Sequence, residues 1–265
     1  MEIVCVGNEL LIGKIVNTNA SWIGKKATSF GVAVKRVTVV ADVLEEMSKV
    51  FCEVLERKPN FLIITGGLGP TFDDMTLQGL GKALKRPLEV NPTALRLVKA
   101  KYVEYAKIHN TSEEELTSPR IKMATIPQGT LPVTNPVGTA PGVQTCVSGT
   151  VIVAMPGVPS EMEAIFEASV VPMLREETGD ISFYEKSIFA DNIMESVLAP
   201  LIDRVMHENP SVYIKSHPKQ QEGKPHIELH LTTSGKPEEQ PQEGLNKAAA
   251  MLSELNKKSG GKVSL

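Results

Sequence analysis

The sequence has few cysteines and aromatic residues and no excess of either charge. Its 265 residues include three cysteines and one Trp, and 28 Lys+Arg against 31 Asp+Glu give a net charge of -3. The cysteines are far apart and form no C-x-x-C pair, which argues against a disulfide framework or a thiolate zinc site and favours a reducing, cytoplasmic setting. With aromatic residues at 5% and no basic surplus, no nucleic-acid partner is expected.

Long hydrophobic runs are also missing. The longest apolar stretches, such as residues 151–155, are far shorter than the roughly 18 residues that span a bilayer, so no membrane partner is expected either. Hydrophobic residues at 42% and charged residues at 22% are ordinary values for a globular protein.

Residues 1–178 show the alternation of strands and helices that is typical of a doubly wound α/β sheet. The runs at 2–6 and 61–64 read EIVCV and FLII. Such mostly apolar runs are typical of strands that are buried on both faces of a parallel sheet. After Asp42, apolar residues recur with a helical period as far as Leu55, and Asp42 could be the N-cap of that helix. The Pro-, Gly- and Thr-rich stretch at 121–149 predicts short strands and tight loops, and a polar connection is expected at 110–119.

Residues 179–265 predict a second, smaller α+β domain. Its expected elements are a strand at 182–190, a helix at 193–206, strands at 212–216 and 227–233, and a helix at 244–256. This order can suggest an RNA-binding KH arrangement, but the segment has 10 Lys/Arg against 12 Asp/Glu and lacks a G-x-x-G loop. We expect it instead to contribute to the interface of a homodimer or to shield the neighbouring site.

The strongest local signal is the segment at 65–76, which reads TGGLGPTFDDMT between an apolar strand and a helix. Glycines let backbone N–H groups approach an anion, and the helix N-terminus adds a partial positive charge. Adjacent carboxylates at Asp73 and Asp74 are compatible with a phosphate only if a hard divalent cation lies between them. The alternative is a glycine-rich turn in which Asp73 or Asp74 caps the helix.

Other polar and loop-forming segments are weaker signals. After the first strand, Glu9 and Asn19 are polar where the rim of a site would be, although Asn17 or Thr18 could simply cap a helix. The segments NPVGTAPG at 135–142 and PGVPSEM at 156–162 could border a sugar or an anion, or could serve only as turns.

Taken in order, these segments resemble the amino-terminal region of the CinA-like proteins. These belong to a molybdopterin-binding superfamily that includes molybdopterin adenylyltransferases and the gephyrin G domain. The resemblance covers the whole first domain, and a weaker pattern after residue 180 is similar to the small second domain of the family. It implies a three-layer α/β/α fold, a nucleotide or pterin substrate, and metal-dependent hydrolysis of ADP-ribose to AMP and ribose 5-phosphate. The chain ends before the deamidase domain of bacterial members, so no deamidation is expected.

The resemblance also implies roles for single residues. Asp42, Asp73 and Asp74 would be catalytic and would hold a divalent cation such as Mg, Mn or Co. Asn8 departs from the family, which commonly has Asp there. The residues expected to bind the phosphates or the nucleotide are Glu9, Asn19, Gly66, Gly67, Leu68, Gly69, Pro70, Thr71, Thr76, Asn135, Gly138, Ala140, Pro141, Gly142, Pro156, Gly157 and Glu161. Two alternatives stay open: a pterin-binding or adenylyl-transfer protein of molybdenum cofactor biosynthesis, and a non-catalytic assembly module.

Overall fold

A computed structural model describes residues 1–109, 116–179, 181–221 and 224–264 of the chain. Most of the connection expected at 110–119 lies outside the described residues. The chain divides into two compact units. Unit 1 contains Met1–Ala27 and Val32–Glu176, and unit 2 contains Thr28–Gly31 and Glu177–Leu265.

Unit 1 is built on a six-stranded, mostly parallel sheet. Its strands, together with a separate two-stranded pair, are β1 (Glu2–Val6), β2 (Arg36–Val40), β3 (Phe61–Thr65), β4 (Leu88–Val90), β5 (Thr125–Pro127), β6 (Leu131–Val133), β7 (Gly142–Val147) and β8 (Thr150–Met155). The order in the main sheet is β2-β1-β3-β8-β7-β6. The strands β2, β1, β3 and β8 run parallel, whereas β7 and β6 are antiparallel additions at one edge. The predicted α/β class with a mostly parallel sheet is confirmed.

The helices of this part of the chain alternate with the strands. They are α1 (Asn8–Leu11), α2 (Thr18–Ser29), α3 (Leu44–Arg57), α4 (Thr76–Leu84), α5 (Pro92–His109), α6 (Ser118–Met123), α7 (Pro159–Ile165) and α8 (Val171–Thr178). A π-helical turn, Phe166–Val170, joins α7 to α8.

The core of unit 1 follows from central strands that are mostly apolar. Every residue of β1 and β3 is buried, which is the burial of central parallel strands with helices on both faces. The predicted stripe on α3 is buried at Met47, Phe51 and Val54. Gly79 lets α4 approach α3 closely, because an added Cβ would lie 3.0 Å from the Cβ of Met47.

Unit 2 is a four-stranded antiparallel sheet with two helices. Its elements are β9 (Ser182–Asp191), α9 (Glu195–Glu208), β10 (Tyr213–Gln221), β11 (Lys224–Gly235), α10 (Pro241–Lys258) and β12 (Lys262–Ser264), with the sheet order β10-β11-β9-β12. Buried side chains of α9 and α10, such as Leu198, Ile202 and Leu252, share one apolar core with Ile188 and Leu229 of the sheet. The expected smaller α+β region is therefore present.

Several short elements were not predicted from the sequence. Helix α6 spans the end of the polar connection expected at 110–119 and the start of the stretch expected to form short strands and loops, and β4 and β12 have only three residues each. Across the stretches that the structure describes, we find no helix with the length and apolar character that a membrane crossing would require.

Candidate functional site

A cavity of about 400 Å³ lies where the four parallel strands of unit 1 end. Segments that follow β1, β2, β3 and β8 all contribute to its wall, because the carboxyl ends of parallel strands meet at one edge of a sheet. The predicted site residues that line it are Glu9, Asp42, Gly66, Gly67, Leu68, Gly69, Pro70, Thr71, Asp73, Asp74, Ala140, Pro156, Gly157 and Glu161.

The glycine loop (residues 66–71) has a backbone shape that side chains would prevent. Gly66 and Gly67 have φ angles of 97° and 66°, in the left-handed region that glycine adopts at little cost. A Cβ on Gly66 would collide with the carbonyl oxygen of Val6, and one on Gly67 with the hydroxyl of Thr76. Thr76 in turn secures the loop: its hydroxyl donates to Gly66 O at 2.8 Å, and its backbone N–H donates to Gly67 O at 3.1 Å. Thr76 is fully buried and acts from behind the loop.

Only part of the glycine loop can offer N–H groups to an anion. The N–H of Gly66 donates to Met155 O at 3.0 Å, the N–H of Thr71 donates to a carboxylate oxygen of Asp74 at 2.8 Å, and Pro70 has no N–H. Within the residues that the structure describes, the loop amides left without a partner are those of Gly67, Leu68 and Gly69. Fewer backbone amides are therefore available to an anion than the sequence suggested.

Asp73 and Asp74 face back toward the glycine loop. The hydroxyl of Thr71 lies 2.6 Å from Asp73 Oδ1 and 2.5 Å from Asp74 Oδ2. The hydrogen bond from Thr71 lowers the pKa of Asp73 because it stabilises the carboxylate. The residue before α4 is Met75, which makes no side-chain cap hydrogen bond. Neither Asp73 nor Asp74 therefore caps this helix, and that alternative is wrong.

Asp42 lies across the cavity from the acidic pair. Its Oδ2 accepts a hydrogen bond from the backbone N–H of Asn8 at 2.7 Å, and α3 begins after Val43 without a side-chain cap. Asp42 is therefore not the N-cap of α3. Burial raises the pKa of Asp42; the Asn8 hydrogen bond opposes this, and the negative charges of Glu9, Asp73 and Asp74 add to the increase.

Lys122 is a residue of this region that the sequence analysis missed. Its ammonium group, on α6, donates to the carbonyl oxygens of Thr71 and, at 3.4 Å, Gly69. Burial lowers the pKa of Lys122, while the charges of Asp74 and Asp73 act in the opposite direction. A signal was present in the Ser118-Pro119 pair, because Pro is favoured in the first turn of a helix and α6 begins there.

Six predicted site residues do not line the cavity: Asn19, Thr76, Asn135, Gly138, Pro141 and Gly142. Asn135 is buried and shapes the loop that follows it: its Nδ2 donates to Ala140 O at 2.9 Å and to Glu161 Oε2 at 2.6 Å, and its Oδ1 accepts from the N–H of Gly138 at 2.8 Å. Pro141 and Gly142 are buried at the start of β7, where a Cβ on Gly142 would lie 3.0 Å from Ala154 O.

Asn19 lies beside a smaller neighbouring cavity of about 130 Å³. Its Nδ2 donates to Gly157 O at 2.8 Å, whereas its buried Oδ1 has no hydrogen-bond partner within the described residues. Asn17 accepts from the N–H of Ala20 at 3.0 Å, so the helix-cap interpretation holds for Asn17.

The carboxylates of the main cavity are chemically suited to a hard divalent cation, but they do not surround a metal ion by themselves. Asp42, Asp73 and Asp74 supply carboxylate oxygens, which Mg²⁺ and Mn²⁺ prefer. Over the described ranges, no three His, Cys, Asp or Glu residues are grouped closely enough to hold a metal together. Mg²⁺ is usually bound through one or two carboxylates, with water and substrate phosphates completing its shell, and this cavity has room for both.

Comparison with known proteins matches a family model to residues 2–176 and finds relatives along nearly the whole chain. The family model for the probable molybdopterin binding domain matches residues 2–176. A protein of Pyrobaculum arsenaticum is 44% identical over 260 residues, which are 98% of this chain and 95% of the relative. A protein of Thermoplasma acidophilum is 39% identical over 263 residues, 99% of this chain and 98% of the relative.

A solved structure agrees with these sequence matches. The crystal structure of the protein CinA from Thermoplasma acidophilum is 42% identical and superposes with a TM-score of 0.58, covering 65% of this chain and 97% of that chain. The chain therefore belongs to the molybdopterin-binding domain family and, within it, to the CinA-like proteins.

Proposed function

We propose that the main cavity hydrolyses the diphosphate linkage of a nucleotide, with ADP-ribose as substrate and AMP and ribose 5-phosphate as products. The observation that carries the proposal is that loop amides and several carboxylates border the same cavity. The amides of Gly67 to Gly69 suit a phosphate, whereas Asp42, Asp73 and Asp74 would repel it. A diphosphate together with a divalent cation resolves this conflict of charge.

The raised pKa of Asp42 supports the same assignment. Burial is the main cause of that increase, and the charges of Glu9, Asp73 and Asp74 add to it, so these four carboxylates border one cavity. A cation held by Asp73 and Asp74, or by Asp42, would offset this charge and would stabilise the charge that develops on the phosphates. Lys122, which contacts the glycine loop, adds a positive charge supplied by the chain itself.

The chain's own residues can be given roles in the reaction. The amides of Gly67, Leu68 and Gly69 orient the diphosphate for in-line attack. Asp42 accepts a proton from the attacking water, whose oxygen forms the new bond to phosphorus while the bridging P–O bond breaks. The leaving phosphate keeps the electron pair of that bond. An aspartate with a raised pKa is suited to this role, because a general base acts best when its pKa approaches the working pH.

A pterin-binding or adenylyl-transfer role is the second candidate, and the family match favours it. The model that matches residues 2–176 describes a probable molybdopterin binding domain. Such a ligand carries a phosphate that could use the same glycine loop. The two candidates differ in what is consumed, since adenylyl transfer needs a pterin acceptor whereas hydrolysis needs only water.

A substrate screen tests the proposal. The full chain is incubated with ADP-ribose and with Mg²⁺, Mn²⁺ or Co²⁺ in turn, and AMP release is followed by chromatography. We expect AMP to appear with at least one metal and to stop when a chelator is in excess. Undiminished AMP release in the chelator would contradict the role of a cation, and no release with any metal would contradict the hydrolase. In a parallel incubation with ATP and a pterin phosphate, AMP incorporation into the pterin would favour the second candidate.

A further inference from the structure

Lys122 and Asp74 carry opposite charges and contact the same short arc of the glycine loop. The ammonium group of Lys122 donates to the carbonyl oxygens of Thr71 and, at 3.4 Å, Gly69. Asp74 Oδ2 accepts from the backbone N–H of Thr71 at 2.8 Å and lies 2.5 Å from the hydroxyl of the same residue. The same oxygen would lie 2.6 Å from a Cβ added to Gly69. Residues 69–71 are therefore held between an ammonium group and a carboxylate.

The charge of Lys122 is coupled to both members of the acidic pair. Burial lowers the pKa of Lys122, and the charges of Asp74 and Asp73 act against this effect. The pKa of Asp73 is lowered first by the hydrogen bond from Thr71 and also, to a smaller extent, by the charge of Lys122. The ammonium group is therefore close enough to the two carboxylates to offset part of their negative charge.

A lysine placed in this way competes with a metal ion. Asp73 and Asp74 are carboxylates to which we assign the divalent cation, and Mg²⁺ is usually bound through only one or two such groups. A fixed positive charge beside them lowers their affinity for a second positive charge, because like charges repel. Without Lys122, the acidic pair would retain a free cation more firmly.

We propose that Lys122 is the internal counter-ion of the acidic pair, and that its ammonium group keeps the affinity of Asp73 and Asp74 for a free divalent cation low. The inference rests on the proposed function for the assignment of the cation to these carboxylates, and it adds how the loading of the site is regulated. A substrate diphosphate brings negative charge that one ammonium group does not offset. The cation is therefore bound well only together with the diphosphate.

Neutral substitutions of Lys122 test this role. Lys122→Met removes the charge and the hydrogen bonds, and Thr71 O then still accepts from the N–H of Asp74 at 3.2 Å, so unit 1 is expected to fold. Lys122→Gln removes the charge but keeps an N–H donor, whereas Lys122→Arg keeps both. The matched control is Lys99→Met, which removes an equal charge at an exposed position of α5 that does not line the main cavity.

Calorimetry measures the binding of Mn²⁺ alone to each full chain, with no nucleotide present. We expect Lys122→Met and Lys122→Gln to bind Mn²⁺ about three- to tenfold more tightly than the parent, since a nearby positive charge repels a divalent cation by that order in a partly hydrated site. Lys122→Arg and Lys99→Met should stay within about twofold of the parent, because the charge beside the acidic pair is kept. Adding Asp74→Asn to Lys122→Met should cancel the gain.

The sign of the change separates a counter-ion from a residue that only supports the loop. Equal or weaker Mn²⁺ binding in both neutral variants overturns the inference. A gain in Lys122→Met that Lys122→Gln lacks also overturns it, because the lost hydrogen bonds and not the lost charge would be the cause. A gain that survives Asp74→Asn would place the bound ion elsewhere and would be equally decisive. If Lys122→Met does not fold, Lys122→Gln and Lys122→Arg decide the question.

The result is separable from the fate of the proposed function, since no turnover is measured. Tighter Mn²⁺ binding by the neutral variants of a protein that leaves ADP-ribose intact would support the role of Lys122 and contradict the hydrolase. Metal-dependent hydrolysis of ADP-ribose by a protein whose Mn²⁺ affinity does not change with the charge at position 122 would do the reverse.

Discussion

Asn8 and Asp42 hold each other by two reciprocal hydrogen bonds between side chain and backbone. The N–H of Asn8 donates to Asp42 Oδ2 at 2.7 Å, and the N–H of Asp42 donates to Asn8 Oδ1 at 3.3 Å. The pair ties the start of α1 to the end of β2, two segments 34 positions apart that border the cavity. Asn8 therefore has a positioning role through its amide oxygen.

Asp42→Asn should stabilise the protein at neutral pH when no metal is present. The pKa of Asp42 is higher in the folded than in the unfolded state, so ionisation costs folding free energy at pH values above both pKa values and nothing well below them. Asn keeps an oxygen that can accept from Asn8. We expect the variant to gain on the order of 0.5 kcal/mol at pH 7 in urea unfolding with chelator, and the gain to disappear near pH 3. A variant less stable than the parent at pH 7 would contradict this account.

Asp74→Asn should keep the fold and lose most of the proposed hydrolysis. The amide retains an oxygen for the N–H of Thr71, whereas the charge that would hold a cation is gone. We expect kcat for AMP release to fall about 100-fold or more, with unfolding unchanged within about 0.5 kcal/mol. Asp203→Asn, at an exposed position of α9, is the control. Near-parental turnover in Asp74→Asn would mean that Asp74 has no role in catalysis and only stabilises the glycine loop.

Gly67→Val should abolish nucleotide binding, and Gly149→Val is its matched control. Both glycines have positive φ angles, so both valines cost about 1–3 kcal/mol of backbone strain. Only at Gly67 does the new side chain also meet the hydroxyl of Thr76, whereas Gly149 has open space around it. We expect both variants to fold, with Gly67→Val the less stable in urea unfolding because of this clash, and loss of AMP binding by calorimetry in Gly67→Val alone. Equal AMP affinities in the two variants would show that the phosphate does not bind at Gly67.

Glu2→Gln should destabilise unit 1 above pH 5. Glu2 is buried and bonded to Arg57, with Arg57 Nη2 2.7 Å from Glu2 Oε2. The Arg57 hydrogen bond lowers the pKa of Glu2, so this stability is present above the ordinary carboxyl pKa and is lost as pH falls through the folded value. We expect a cost of about 1–2 kcal/mol at pH 7 that narrows toward pH 3. Glu45→Gln, which breaks an exposed pair with Lys82, should leave the stability close to that of the parent.

We predict that the full chain is a homodimer, as closed two-fold pairs are the commonest soluble assemblies. The antiparallel sheet of unit 2 ends at β10, where Tyr213 is 59% exposed, and such an edge is a surface that another copy can cover. Light scattering should give twice the chain mass of 28.7 kDa. A mass of one chain would show this prediction to be wrong.

The sheet could be predicted from the sequence because its central strands contain continuous apolar runs. Phe61 to Ile64 can be buried only as a strand with helices on both faces, and the glycines after it predict a loop that approaches a ligand. What could not be predicted depends on distant partners. The N–H of Gly66 donates to Met155 O, and Lys122 donates to the glycine loop. Both contacts form only when segments that are far apart in the chain meet.

Short elements could not be predicted from the sequence either, because they too depend on contacts with distant residues. Helix α6 has six residues, too few to show a helical period, and it forms because Met123 and Ala124 are buried against the rest of unit 1. Asp42 could not be assigned from its position before a helix, since a cap and a cavity residue look the same in sequence until Asn8 is seen to bond it.

The contact of Lys122 with the glycine loop has a consequence for transplanting this site. The carbonyl oxygens of Gly69 and Thr71 receive their hydrogen bonds from a side chain about fifty positions later, and the hydroxyl of Thr76 supports the loop from below. The twelve-residue signature at 65–76 is therefore not portable by itself. A host scaffold given this peptide without an equivalent of α6 would lack the hydrogen bonds to the carbonyl oxygens of Gly69 and Thr71, and that half of the loop would lose its support.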